Sequence, residues 1–191
     1  AARGGDEYEA TVRDFASSEN PDIAWRARRA LAARGLVDAD AIEAWRSADG
    51  SGEAARMSVE ALASLPLEDA RSRAWESVYS ESLSNDFLTA TLAGLNASSW
   101  EGDSGLDSAV DRLRPYWEAH TIGMALRYAN GVLAYGLDID REGSVERSVG
   151  LLRGWLDAHG DAPAQLRRIV LEHLDAFERD ERVQRRWGSG Q

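Results

Sequence analysis

The spacing of apolar residues constrains this chain more than any other feature. Between Leu67 and Val78 the apolar positions are Leu67, Ala70, Ala74, Trp75 and Val78. They recur every three or four residues, which puts them on one face of an α-helix. Leu152, Trp155 and Leu156 repeat the pattern, as do Leu166, Ile169, Val170, Leu174 and Phe177. No segment alternates apolar and polar residues as a half-buried strand does.

Helix breakers divide this pattern. Asn20-Pro21-Asp22 offers an N-cap followed by proline at the first helical position. Gly35, Gly50, Gly94, Gly136 and Gly160 each follow an apolar-periodic stretch, the place of a C-terminal glycine. Leu65–Ala70 and Asp161–Pro163 each break one helix and start the next, and Asn96–Gly105 and Leu137–Gly143 read as loops. The expectation is an all-α chain of roughly ten helices. Short turns favour antiparallel helix pairs stacked as an irregular α-solenoid of the HEAT or armadillo kind, with a compact bundle as the competing arrangement. Residues 1–191 are expected to form a single helical domain.

Composition narrows the function. The formal net charge is −11, which disfavours nucleic acid and anionic membranes as partners. All 22 basic residues are arginine, so Schiff-base and P-loop lysines are excluded; the arginine bias matches a GC-rich coding sequence. The chain contains no cysteine, which excludes disulfides, thiolate metal sites and cysteine nucleophiles. No apolar run reaches membrane-spanning length, and the first ten residues lack the apolar core of a signal peptide. A cytoplasmic location is expected. The sequence begins with Ala1 rather than Met and reads as a piece of a larger protein.

The chemistry-bearing residues are sparse. His173 lies on the apolar face of the last helix and reads as a hydrogen-bonded residue at the core edge. His159 precedes Gly160 at a helix C-terminus, where an imidazole interacts favourably with the helix dipole. His120 has no base or metal partner by spacing, and HExxH is absent. Asp138, Asp140, Glu142 and Gly143 match the start of a calcium loop, but position 12 is Val149 instead of a bidentate carboxylate, so a solvated acidic linker is expected. Gly50–Ala55 mimics a dinucleotide loop, yet it follows a helix and reads as a helix–helix turn. Asn96-Ala97-Ser98 fits the glycosylation pattern but has no secretory signal beside it. The seven tryptophans mostly occur at helical spacing and are assigned to packing, with Trp100 in a loop as the exception. The segment Arg114–Gly131 mixes aromatics, Arg and Asn on a helical hairpin. It offers a candidate binding surface, although any packed helix pair has a similar composition.

The stretch AWESVYSESLSNDFLTATLAGLN, Ala74 to Asn96, resembles the helix–turn–helix in the C-terminal domain of bacterial M1 zinc aminopeptidases of the aminopeptidase N type. Ala74 and Trp75 match that family's AW helix, and Leu83, Ser84 and Asn85 match its Leu-Ser-Asn turn. Leu113–His120 is similar to its L-x-P-Y segment. Gly150–Gln184 is similar to its closing helices, with WL, Asp-Ala-Pro and Leu-Arg-Arg in that order. The resemblance extends from about Leu31 to Gln184. It departs at Asn96–Gly105 and in a shortened segment after Tyr116.

The resemblance implies a non-catalytic, HEAT-like domain that closes the substrate chamber of a peptide-trimming enzyme. Its partners would be the catalytic domain of the same polypeptide and peptide substrates. Zinc would belong to that catalytic domain, and no cofactor is expected in this chain. Trp117, Arg127 and Tyr128 are expected to line the chamber. An alternative is a stand-alone HEAT-like scaffold that binds a protein or peptide.

Overall fold

The computed structural model describes residues 2–80, 83–99, 105–134 and 144–187, with side chains for all but residues 2–7, 144 and 184–187. The fold is all-α: eleven helices and no strand among the described residues. The chain divides into two compact units, Ala1–Gly102 and Asp103–Gln191. None of the helices among the described residues is long and apolar enough to cross a membrane.

The first unit holds α1 (Ala2–Ala16), α2 (Pro21–Ala33), α3 (Ala39–Asp49), α4 (Gly52–Ser64), α5 (Glu68–Val78) and α6 (Asn85–Ala97). Its helix starts are set by short polar side chains. The Asn20 carboxamide accepts from the Asp22 and Ile23 amides at 3.0 and 3.4 Å, with Pro21 at the first helical position. Asp38, Ser51 and Ser84 accept from Ala41, Ala54 and Phe87 in the same way. Each cap satisfies an amide that the helix itself leaves unpaired. At the end of α2 the Gly35 amide donates to Ala32 and the Leu36 amide to Leu31, both at 2.9 Å. This double closure needs a left-handed residue, and Gly35 supplies it with φ 66°.

Helix α4 is the hub of this unit, packing on α2, α3, α5 and α6. Its core partners include Trp25, Ile42, Leu65 and Ala70. The α4–α6 contact is built from small residues. A Cβ on Gly94 would lie 2.7 Å from the Ala63 Cβ and closer still to the Glu60 carbonyl. Gly94 therefore sits inside α6 as a packing residue and not at a helix end, which corrects the expectation from sequence. Ser64 and Thr91 are buried nearby and donate to Ala61 and Phe87 within their own helices. Their hydroxyls need no partner across the interface. Glu60 is buried and pairs with Arg29 from α2, with Arg56 3.9 Å away.

The α5 stripe is partly as expected. Ala70, Ala74 and Val78 are buried, but Leu67 precedes the helix and is 52% exposed. Leu67 is the N-cap of α5 and its own backbone is extended, with φ −127° and ψ 135°, so helical phase does not extend back to it.

The second unit holds α7 (Leu106–Asp111), α8 (Leu113–Ala119), α9 (Ile122–Ala134), α10 (Ser144–Ala158) and α11 (Ala164–Trp187). Helix α11 packs on α9 and α10, and α7 packs on α8, α9 and α10. The two stripes read from sequence are buried here: Leu152, Trp155 and Leu156, and Leu166, Ile169, Val170, Leu174 and Phe177. Gly160 follows α10 without a left-handed backbone, unlike the expected C-terminal glycine. Gly136 and the acidic Asp138–Gly143 segment lie outside the described residues.

Candidate functional site

The hairpin chosen from sequence separates its three candidates. Tyr128 is 1% exposed and belongs to the core of the second unit. Its ring stacks on Tyr116 at 3.9 Å between centroids, and Tyr116 stacks in turn on His120 at 3.8 Å. The Tyr128 hydroxyl donates to the Ala109 carbonyl at 2.9 Å, tying α9 to α7. In this conformation Tyr128 secures the hairpin and presents no ring face to a ligand. Trp117 is half-buried on α8. Arg127 is exposed on α9, and one guanidinium nitrogen donates to Gly123 one turn back at 3.0 Å. Its other donors have no hydrogen-bond partner among the described residues, so Arg127 retains the means to pair with a carboxylate.

The histidines share one local device. Nδ1 of His120, His159 and His173 lies 3.0, 2.9 and 3.0 Å from the carbonyl of Tyr116, Trp155 and Ile169, four residues earlier in each case. A carbonyl only accepts, so each Nδ1 carries the proton. His159 also stacks on Trp155 at 4.6 Å, and His173 meets the edge of Phe177. The expected roles at a helix end and a core edge hold. Among the described residues, no group of three acidic or histidine side chains is placed to hold a metal ion.

A site missed from sequence lies in the first unit. Trp25 on α2 and Trp45 on α3 both face the Arg28 guanidinium, whose carbon is 5.0 and 5.2 Å from their ring centroids. Arg28 donates through Nε to the Ala16 carbonyl at 3.1 Å. The Trp25 indole donates to Asp49 at 3.3 Å. Hydrogen bonds from Ser51, then from Trp25, hold the Asp49 carboxyl below its usual range, and the Arg28 charge adds to this. Burial pulls the Arg28 guanidinium below its ordinary value, opposed by Asp49. These groups border a cavity of about 500 Å³ that Glu19, Asp22, Glu53 and Met57 also line. Its volume falls in the range of about 300–1,000 Å³ common for small-ligand sites.

The arrangement sets two indole rings and a guanidinium beside a hydrogen-bonded carboxylate. One signal of it was legible. Trp25 and Arg28 are three residues apart, so they share a helix face. Trp45 arrives from another helix, and nothing in the local spacing announces it. A second, more apolar groove of about 480 Å³ runs between Leu62, Leu65, Ala70 and Ala74, with Asp40 and Arg73 among its lining residues.

No family model matches this chain, and no curated protein matches it.

Proposed function

We propose that this chain is a non-catalytic helical domain of an M1-type zinc aminopeptidase, forming part of the wall of its substrate chamber. The observation that carries the reading is the Ala74–Asn96 segment. Ala74 is buried in α5, Ser84 accepts from the Phe87 amide at 3.3 Å, and α6 then packs its Gly94 face on α4. The Leu-Ser-Asn turn thus has a physical task, since Ser84 caps the helix that follows it. The Asp-Ala-Pro segment likewise ends at Pro163, immediately before α11. Helix pairs held in this way supply a rigid wall, and a wall acts on catalysis by excluding and positioning substrate.

In this reading the catalytic domain would hold the zinc and supply the hydrolytic chemistry. Here Arg127, with Trp117 on the neighbouring helix, contacts the peptide beyond the cleavage point, while Tyr128 supports them from the core. The test is Arg127→Ala in the full enzyme. KM for an oligopeptide should rise by roughly tenfold, as loss of a charge-assisted hydrogen bond implies. KM for a single-residue amide should stay unchanged. Equal effects on both substrates would refute the assignment.

A further inference from the structure

We propose that the cavity between α2 and α3 is a binding site for the basic side chain of a peptide, and that Arg28 is its intramolecular occupant. Two indoles face one guanidinium; Trp25 is 1% exposed, so its ring becomes available to a ligand only when Arg28 leaves it. The cavity is larger than one guanidinium fills, at about 500 Å³. Ala48, Met57 and Trp45 offer apolar surface for an aliphatic stem, as the methylene chains of Lys and Arg require.

The charges around the cage are unbalanced in favour of a second cation. Glu19, Asp22 and Asp49 make no ion pair with any described residue, whereas Glu53 is paired with Arg56. Asp49 is held in place by Trp25 and Ser51, so its carboxylate is oriented before a ligand arrives. The net charge of −11 adds a long-range attraction for basic peptides.

Arg28 is held by the two rings, by one hydrogen bond and by the charge of Asp49. Nε donates to Ala16, and the terminal nitrogens have no hydrogen-bond partner among the described residues. An incoming side chain that reaches Glu19 or Asp22 gains pairs that Arg28 does not make. Arg28 would then swing out, exchanging one cation for another over the same rings. This inference stands apart from the aminopeptidase reading, because binding is measured on this chain alone.

The experiment is a titration of indole fluorescence with acetyl-Gly-Arg-Gly-amide, and with the same peptide carrying citrulline, which keeps the shape and removes the charge. The arginine peptide should bind roughly tenfold more tightly than the citrulline peptide, the scale of a desolvated cation–π contact. Arg28→Met vacates the cage while keeping an aliphatic stem, and should tighten arginine binding by about fivefold or more. Asp49→Asn keeps the acceptor for Trp25 and should weaken binding by about threefold to tenfold. Equal binding of the two peptides, or no binding by the wild type, would overturn the site. If Arg28→Met fails to fold, the Asp49→Asn and citrulline comparisons decide the site. A folded Arg28→Met that binds no more tightly than the wild type overturns the role of Arg28.

Discussion

The two units are built from the same kind of helix but close their helix ends differently. In the first unit four helix starts carry a side-chain cap, from Asn20, Asp38, Ser51 and Ser84. In the second, α7 and α8 have no side-chain cap at their starts, as α5 has none in the first, while Thr121 accepts from the Met124 amide at 3.4 Å at the start of α9. At the C-terminal ends of α8 and α10, ring and guanidinium nitrogens meet the backbone carbonyls. His120 bonds back to Tyr116, His159 to Trp155, and Arg167 donates to Leu156 and His159 at 3.1 and 2.7 Å. The packing differs in parallel: small residues bring α4 and α6 close, while stacked rings hold α8 to α9. The α4–α6 contact therefore depends on small volumes and the α8–α9 contact on large ones.

The largest expected effect breaks the first kind of packing. Gly94→Ala should destabilise the first unit by about 2–3 kcal/mol, because the new methyl meets the Glu60 carbonyl and backbone must shift. Gly150→Ala on α10, where a Cβ meets open space, should instead stabilise by about 0.5–1 kcal/mol. Urea midpoints for the pair measure the contrast directly. Loss of stability at both positions would mean that close approach is not what singles out Gly94.

The next effect probes the second unit. Tyr128→Phe keeps the ring stack and removes the hydrogen bond to Ala109, which should cost about 1–2 kcal/mol in denaturant unfolding. An unchanged midpoint would mean that the stack alone ties α9 to its neighbours. Ser84→Ala should cost about 1 kcal/mol through the lost cap of α6, and Ser84→Gly only a few tenths. If the two substitutions were equal, the serine would have another task.

The smallest effect is electrostatic. Hydrogen bonding from Arg114 holds the exposed Asp161 carboxyl below its usual range, and the Arg114 charge adds to this. A depressed folded-state value contributes stability above the unfolded-state pKa of about 3.9, and that contribution is lost as pH falls through the folded value. Asp161→Asn should flatten the acid side of the stability–pH curve below about pH 4 and leave the neutral region nearly unchanged. A thermal melt series between acid and neutral pH checks the sign.

What could be read from sequence follows from what local spacing encodes. The Leu166–Phe177 stripe was legible because burial on one helix face repeats with the helix period. The Asn20 cap and the Gly50–Ser51 turn were legible because their residues interact with immediate neighbours. Gly94 was not, since a glycine in an apolar run looks the same at a helix end and at a close contact. Tyr128 had the residue type of a binding-surface aromatic, and only its packing against Tyr116 places it in the core. The Trp25–Arg28–Trp45 cage was half legible: one ring and the cation share α2, and the second ring comes from α3.

The most direct measurement for the proposed role is to sequence the reading frame upstream of Ala1. An in-frame HExxH motif several hundred residues upstream, followed by a downstream glutamate, is the predicted result and makes this domain part of a zinc aminopeptidase. A start codon immediately before Ala1 would contradict it, and the stand-alone scaffold would take its place.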